Sequence, residues 1–142
     1  MEQNLLEKYI EHNHFGRMLG MDFKVISAGQ VEYRMNVRTE HLATPHAAHG
    51  GVLASLVDAS LGVAALSAVF EDQKVVSTVE FKLNFLAPVL KDDELLAKAK
   101  VLRKGKRLLF VECQVFCSSR QMELVAVANG SFNAYEATRA GY

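Results

Sequence analysis

One carboxylate stands alone in a long apolar run. From Gly50 to Phe70 the chain reads GGVLASLVDASLGVAALSAVF, and Asp58 is its only charged residue. Removing a lone carboxylate from water is costly unless it is paired, protonated or turned toward a cavity. A structural Asp held by backbone or by a buried base is one outcome. A catalytic base or nucleophile facing a substrate is the other, and it is the one expected here. Just ahead lies His49-Gly50-Gly51. If the run is a helix, these residues open it. Its free N–H groups, at the positive end of the helix dipole, suit a developing oxyanion. Gly50 and Gly51 put no side chain between a substrate and the backbone. A bare His-Gly-Gly is a weak signal by itself, because glycines at helix starts are common.

Other polar clusters carry less. His46-x-x-His49 has no further His, Cys or acidic ligand at suitable spacing, so no metal is expected. His12-Asn13-His14 reads as an exposed helix end. Lys98, Lys100, Arg103, Lys104, Lys106 and Arg107 lie between Leu95 and Val111 with no acid in that span. A solvated hairpin tip accounts for such a run, and so does a phosphate-rich ligand. Nucleic acid fits less well, because Phe110 is the only aromatic residue among these cations.

These groups must be positioned by a small chain. Its 142 residues suit one domain spanning 1–142. Half of the residues are apolar and 23% are charged, which excludes a disordered chain. Sixteen Lys and Arg balance sixteen Asp and Glu, leaving no global field toward nucleic acid or membrane. Residues 1–14, MEQNLLEKYIEHNH, lack the apolar core of a signal peptide. Cys113 and Cys117 fall four apart in a strand-like run, so their Cα atoms lie about 13 Å apart, beyond the ~7 Å reach of a disulfide. Two unpaired thiols in an apolar stretch point to core filler and a cytoplasmic location.

The periodicity predicts a short amphipathic helix over about 3–14, with Leu5, Leu6, Tyr9 and Ile10 on one side. Strands follow at MDFKVIS and VEYRMNV, the second with Val31, Tyr33, Met35 and Val37 inward. The loop from His41 to Ala48 breaks at Pro45. Residues 49–70 form a helix that is apolar nearly all round and hence buried. Its length would allow a membrane span, but Asp58 near its middle would cost about 2.5–3.5 kcal/mol there, so no membrane role is expected. Strands at about 75–87, 94–102, 107–117 and 122–134 complete the chain. In the first of these, Val79, Phe81, Leu83 and Phe85 share one face opposite Thr78, Glu80, Lys82 and Asn84; in the third, Leu109, Val111, Cys113, Val115 and Cys117 share a face. Turns are expected at Asp92-Asp93, Lys104-Gly105 and Ser118-Ser119. A helix without a polar side must be surrounded, so the α+β reading is a curved antiparallel sheet of about six strands wrapped around it, the hotdog fold. Gly51, Ser55, Asp58, Gly62 and Ala65 make a stripe of small residues along that helix, where a ligand or a second helix approaches closely.

Taken in order, HGGVLASLVDASLG (49–62), STVEFKLNFLAP (77–88) and VLRKGKRLLFVE (101–112) resemble the PaaI-like branch of the hotdog acyl-CoA thioesterases, over about Phe15 to Phe132. The resemblance implies hydrolysis of acyl-CoA to a carboxylic acid and free CoA, without a cofactor. It implies that Gly50 polarises the thioester carbonyl through its N–H, that His49 helps to hold the thioester, that Asp58 activates water or attacks directly, and that Thr78 assists Asp58. Many relatives carry Asn and Gly where this chain has Ala43 and His46. Ala43 cannot make the hydrogen bond of Asn, so either His46 substitutes for it or activity is low. Gly51 would border the substrate, and Arg103, Lys104 and Lys106 would hold the CoA phosphates. Gly50 and Asp58 are eight residues apart, about 12 Å along one helix, so they cannot serve the same thioester from one chain. A homodimer with two shared sites resolves this, and relatives often pair such dimers into tetramers. A non-catalytic acyl-CoA-binding module is the rival reading. A hydratase is a weaker rival, lacking a clear His and acid pair.

Overall fold

The computed structural model describes residues 3–142. Met1 and Glu2, the first residues of the segment read as lacking a signal core, lie outside the described residues. The chain begins with α1 (Leu5–His12) and α2 (His14–Leu19), then β1 (Asp22–Ser27) and β2 (Gln30–Asn36). The long helix α3 (Gly50–Val69) follows. Four strands complete the sheet: β3 (Lys74–Phe85), β4 (Glu94–Lys104), β5 (Leu108–Cys117) and β6 (Glu123–Glu136). The six strands are antiparallel in the order β1-β2-β4-β5-β6-β3, curved around α3 in the hotdog arrangement.

The helix expected over 3–14 is α1, and a second short helix that the sequence reading did not foresee, α2, follows it. Asn4 and Glu7 form a reciprocal capping box at 2.9 Å that starts α1. Asn13 then ends it and caps the next, its Oδ1 accepting from Gly16 N–H at 3.1 Å. Asn competes well for free helix donors, so Asn13 can close one helix and open the next. Gly20, left-handed at φ 72°, closes α2.

The inward residues of β2 and β5 are buried as expected, from Val31 to Met35 with Val37 just past the strand, and from Leu109 to Cys117. They enclose Leu53, Leu56, Val57, Leu61 and Ala64 of α3. Each such leucine stabilises the fold by about 1.5–3 kcal/mol relative to exposure. Together with the turn to Asp72, α3 is long and apolar enough to span a bilayer, yet the sheet covers most of it. It is not covered on every side. Gly51, Ser55, Asp58 and Gly62 remain partly open, whereas Ala65 of the expected stripe is fully buried.

The apolar face expected for the first of these later strands is only partly buried. β3 is a sheet edge, and Val79 and Phe85 are 57% and 56% exposed. The ladder with β6 slips by one residue between Thr78 and Glu80, a bulge at Val79. An extra residue reverses side-chain alternation beyond it. Thr78 before the bulge and Phe81, Leu83 and Phe85 after it therefore all turn toward α3. Asp93, read only as a turn residue, is buried in an ion pair: its Oδ2 accepts from Arg120 and from Leu90 N–H, each at 2.8 Å.

Cys113 and Cys117 are free and buried. Desolvation pushes the Cys113 thiol from 9.0 up to about 12. Native protein is therefore expected to resist a thiol reagent such as DTNB at pH 8, with both thiols reacting after unfolding. The sign of the alkaline effect follows from linkage: the unfolded chain loses this proton near pH 9, the folded one near 12. Its contribution to stability is complete below pH 9 and declines as pH rises toward 12. Fast native labelling in a denaturant-free assay would show the β5 face to be open.

Candidate active site

Two places on α3 matter, its start and its middle. At the start, His49 is the N-cap, with φ −65° and ψ 136°. Its ring Nδ1 accepts from Gly51 N–H at 2.8 Å, so the neutral ring carries its proton on Nε2. Its own N–H donates to the His41 carbonyl at 2.8 Å. His41 is buried, its Nδ1 accepting from Arg38 N–H at 3.0 Å. A Cβ on Gly51 would meet the His49 ring at 2.9 Å, so glycine is what lets the imidazole lie over the helix end. The Gly50 N–H has no acceptor among the described residues and faces the surface. Phe85 leans over this end, its ring 3.4 Å from where a Gly50 Cβ would be.

In the middle, Asp58 Oδ1 accepts a 2.7 Å hydrogen bond from Thr78 Oγ1–H. The Val79 bulge makes this possible, because regular alternation would aim Thr78 and Phe81 at opposite faces. The pair opens onto a groove of about 350 Å³ that also touches Tyr9, Phe132, Tyr135 and Tyr142. Burial raises the Tyr9 hydroxyl above its ordinary range, as the hydrogen bond to Tyr33 lowers it and the charges of Tyr142 and Asp58 add to the rise.

Of the expected site residues, Asp58 meets Thr78, and His49, Gly50 and Gly51 share the helix start. These two groups are separated by about 12 Å of helix in a single chain. His46 is exposed at the tip of a turn closed by Thr44, whose Oγ1 accepts from Ala47 N–H at 2.9 Å; Ala43 is exposed beside it. The cation run does not form one patch. Lys98 lies opposite Glu32 and Lys100 opposite Glu112 on neighbouring strands, so tertiary structure supplies the acids that the run lacks. Arg103 and Lys104 alternate between faces, and the bulge at Leu102 just before them puts Arg103 on the side of Phe110 and Lys104 on the side of Leu109. Lys104 Nζ donates to the Ala68 carbonyl at 2.7 Å and to Asp72 at 3.3 Å, which completes the C-terminal end of α3. Arg103 and Lys106 are exposed and without an ion pair among the described residues.

Sequence reading missed Phe85 at the helix start and the tyrosines around Asp58. Tyr9 comes from α1, Tyr135 from β6 and Tyr142 from the turn beyond it, so no spacing signal connects them to Asp58.

Known proteins share this architecture. The PaaI protein of E. coli, from the phenylacetic acid degradation operon, superposes with a TM-score of 0.83 at 24% identity, over 92% of this chain and 90% of that one. A conserved protein of Pseudomonas aeruginosa superposes at 0.78 with 30% identity, over 87% of this chain and 94% of that one. Human acyl-coenzyme A thioesterase 13 is 29% identical over 109 residues, 76% of each chain. The sequence profile of the thioesterase superfamily matches residues 46–123, more than half of the chain and the whole of α3 with its cap. A lone acid on the wrapped helix, a free N–H at that helix's start and this match agree: the chain belongs to the thioesterase superfamily.

Proposed function

We propose that this chain hydrolyses acyl-CoA to a carboxylic acid and free CoA in sites shared between two subunits. The observation that carries the reading is the 2.7 Å Thr78–Asp58 bond beside a groove, on a helix with no other charge. Thr78 occupies Oδ1 and leaves Oδ2 for a water molecule. As base, Asp58 takes a proton from that water while its oxygen bonds to the thioester carbon. The carbonyl oxygen becomes an oxyanion held by Gly50 N–H, with the His49 Nε2–H beside it. Collapse breaks the C–S bond, and the proton passes to the departing thiolate. Direct attack by Asp58 would instead give an anhydride that water then cleaves.

The separation of Asp58 from Gly50 requires the second copy, and the β3 edge supports one. A long edge strand with exposed Val79 and Phe85 invites pairing. It lies beside the open stripe of α3, so a two-fold partner there would bring its own helix start toward Asp58. Pairing of such dimers into a tetramer follows the same resemblance. Of the cations, Arg103 and Lys106 remain free for CoA phosphates, while Lys104 is engaged with α3.

Asp58→Asn keeps the shape and removes the base, so kcat should fall roughly 10²–10⁴-fold with CoA binding and fold retained. Unchanged turnover would remove Asp58 from the chemistry. Thioester binding without any turnover in the wild type would favour the non-catalytic module, the reading suggested by Ala43.

Subunit mixing tests the shared site. Gly50→Pro deletes the donor at a position where proline is tolerated, and His49 already has the extended backbone that a following proline requires. Each of Gly50→Pro and Asp58→Ala should be nearly inactive alone. Random exchange makes about half the dimers mixed, each with one intact site, so about a quarter of wild-type activity should return. No recovery after demonstrated exchange of folded variants would place donor and base in one chain.

Changing Arg103 and Lys106 together to Ala should raise KM for acyl-CoA more than it lowers kcat, with the effect shrinking at high salt. An equal effect on a short thioester without phosphates would count against phosphate contacts there.

A further inference from the structure

Asp93 is the one buried carboxylate among the described residues, and its partner Arg120 has every guanidinium nitrogen engaged. Nη2 donates to Asp93 Oδ2 at 2.8 Å and to the Pro88 carbonyl at 2.7 Å. Nε donates to Cys117 Sγ at 3.3 Å, and Nη1 lies 3.4 Å from Glu123 Oε2. Strain flanks the pair on both sides. Among the described residues four other than glycine have left-handed backbone, and three of them adjoin the pair. Asp92 precedes Asp93 at φ 70°, and Gln121 and Met122 follow Arg120 at 55° and 56°. Side chains are disfavoured in that region, and such strain persists only where the surroundings hold it. What they hold here is the aim of two side chains at each other.

The pair grips one edge of the segment 88–93, and the other edge carries the loop that leads into α3. Backbone groups of successive residues alternate between the two edges of an extended chain. At Leu90 both groups turn to Asp93. The Leu90 N–H donates to Asp93 Oδ2 at 2.8 Å, and the Leu90 carbonyl accepts from Asp93 N–H at 3.1 Å. On either side of Leu90 they turn to the loop. Ala48 N–H donates to the Val89 carbonyl at 2.8 Å, and Lys91 N–H donates to the His46 carbonyl at 2.9 Å. Ala48 directly precedes the N-cap His49 and stands two residues before Gly50. Val89 is buried and sets the depth of the segment, but a single apolar anchor does not fix its rotation. Turning the segment moves both edges together, so the pair sets where the loop lies.

We propose that Asp93 and Arg120 are positioning residues: through the segment 88–93 they hold the loop that presents His49 and the Gly50 N–H to the thioester. The inference rests on the proposed active site, which gives the oxyanion to this helix start. Neither side chain acts on the substrate directly. Their contribution is to fix the donor before charge develops, and a donor already in place is what stabilises a transition state. Arginine suits this role better than lysine, because its planar fork meets Pro88, Asp93, Cys117 and Glu123 at once.

The test compares wild type with Arg120→Gln, Arg120→Lys and Val31→Ala, the last a core truncation on β2 that controls for lost stability. All are measured well below their melting temperatures, with rates taken per folded molecule. Hydrogen exchange read by mass spectrometry needs no substrate. Amides of residues 43–49 should exchange at least ~10-fold faster in Arg120→Gln, while those in the middle of α3 stay within about threefold of wild type. On acetyl- and phenylacetyl-CoA, kcat should fall at least ~10-fold with KM within about threefold, because the donor is used in the transition state. Arg120→Lys keeps the charge beside Asp93 and should lie between. Val31→Ala should lower the melting temperature with neither effect. Unchanged exchange in 43–49 overturns the inference, and so does the same loosening in Val31→Ala. An unchanged kcat in a variant whose loop has loosened also overturns it. Where Arg120→Gln does not fold, Arg120→Lys is judged by the same two readouts. If the loop loosens selectively but wild type turns over no thioester, the hold on the loop stands and the proposed reaction falls. If wild type is active and the loop does not loosen, the reaction stands and this inference falls.

Discussion

The constraint from which the rest follows is the burial of α3. A helix of twenty residues with leucine, valine and alanine on nearly every side has no stable place at a surface. A flat sheet covers one side of such a helix, so the strands must curve around it. The buried faces of β2 and β5 supply that curvature with alternating apolar side chains, and Leu56, Val57 and Leu61 become fully enclosed. Close packing on several sides fixes both the axis and the rotation of α3. That rigidity gives meaning to the placement of Asp58, because a carboxylate on such a helix can turn only toward the stripe that the sheet leaves open.

The groups around that stripe depend on local departures from regular structure. The bulge at Val79 turns Thr78 onto Asp58 and leaves Phe81, Leu83 and Phe85 on the same side. The second bulge, at Leu102, reverses the alternation before Arg103 and Lys104, so that Lys104 rather than Arg103 falls on the face of buried Leu109. One of them, Lys104, meets the carbonyl end of α3, while at the other end the His49 ring takes the Gly51 N–H and the Gly50 N–H has no acceptor among the described residues. The two ends of the helix are thus treated oppositely. Its negative end is neutralised within the chain, and its positive end stays available to an anion or oxyanion.

Much of this was legible in the order of residues. The two periods, alternating in VEYRMNV and LLFVECQVFC and unbroken in the run from Gly50, are properties of the chain itself, and from them come the strands, the buried helix and the need to wrap it. The isolation of Asp58 and the glycines at the helix start are equally local. Tertiary structure decided whatever depends on register or on distant partners. No local signal marks Val79 as a bulge, so alternation placed Thr78 and Phe81 on opposite faces. The run of cations looked unopposed because Glu32, Glu112 and Asp72 lie outside it and arrive only through strand pairing and the end of α3. The tyrosines that border the Asp58 groove come from both ends of the chain, brought together because α1 and the last turn pack beside the same helix. A sequence states which residues share a strand or a helix. Only the folded chain states which of them share a space.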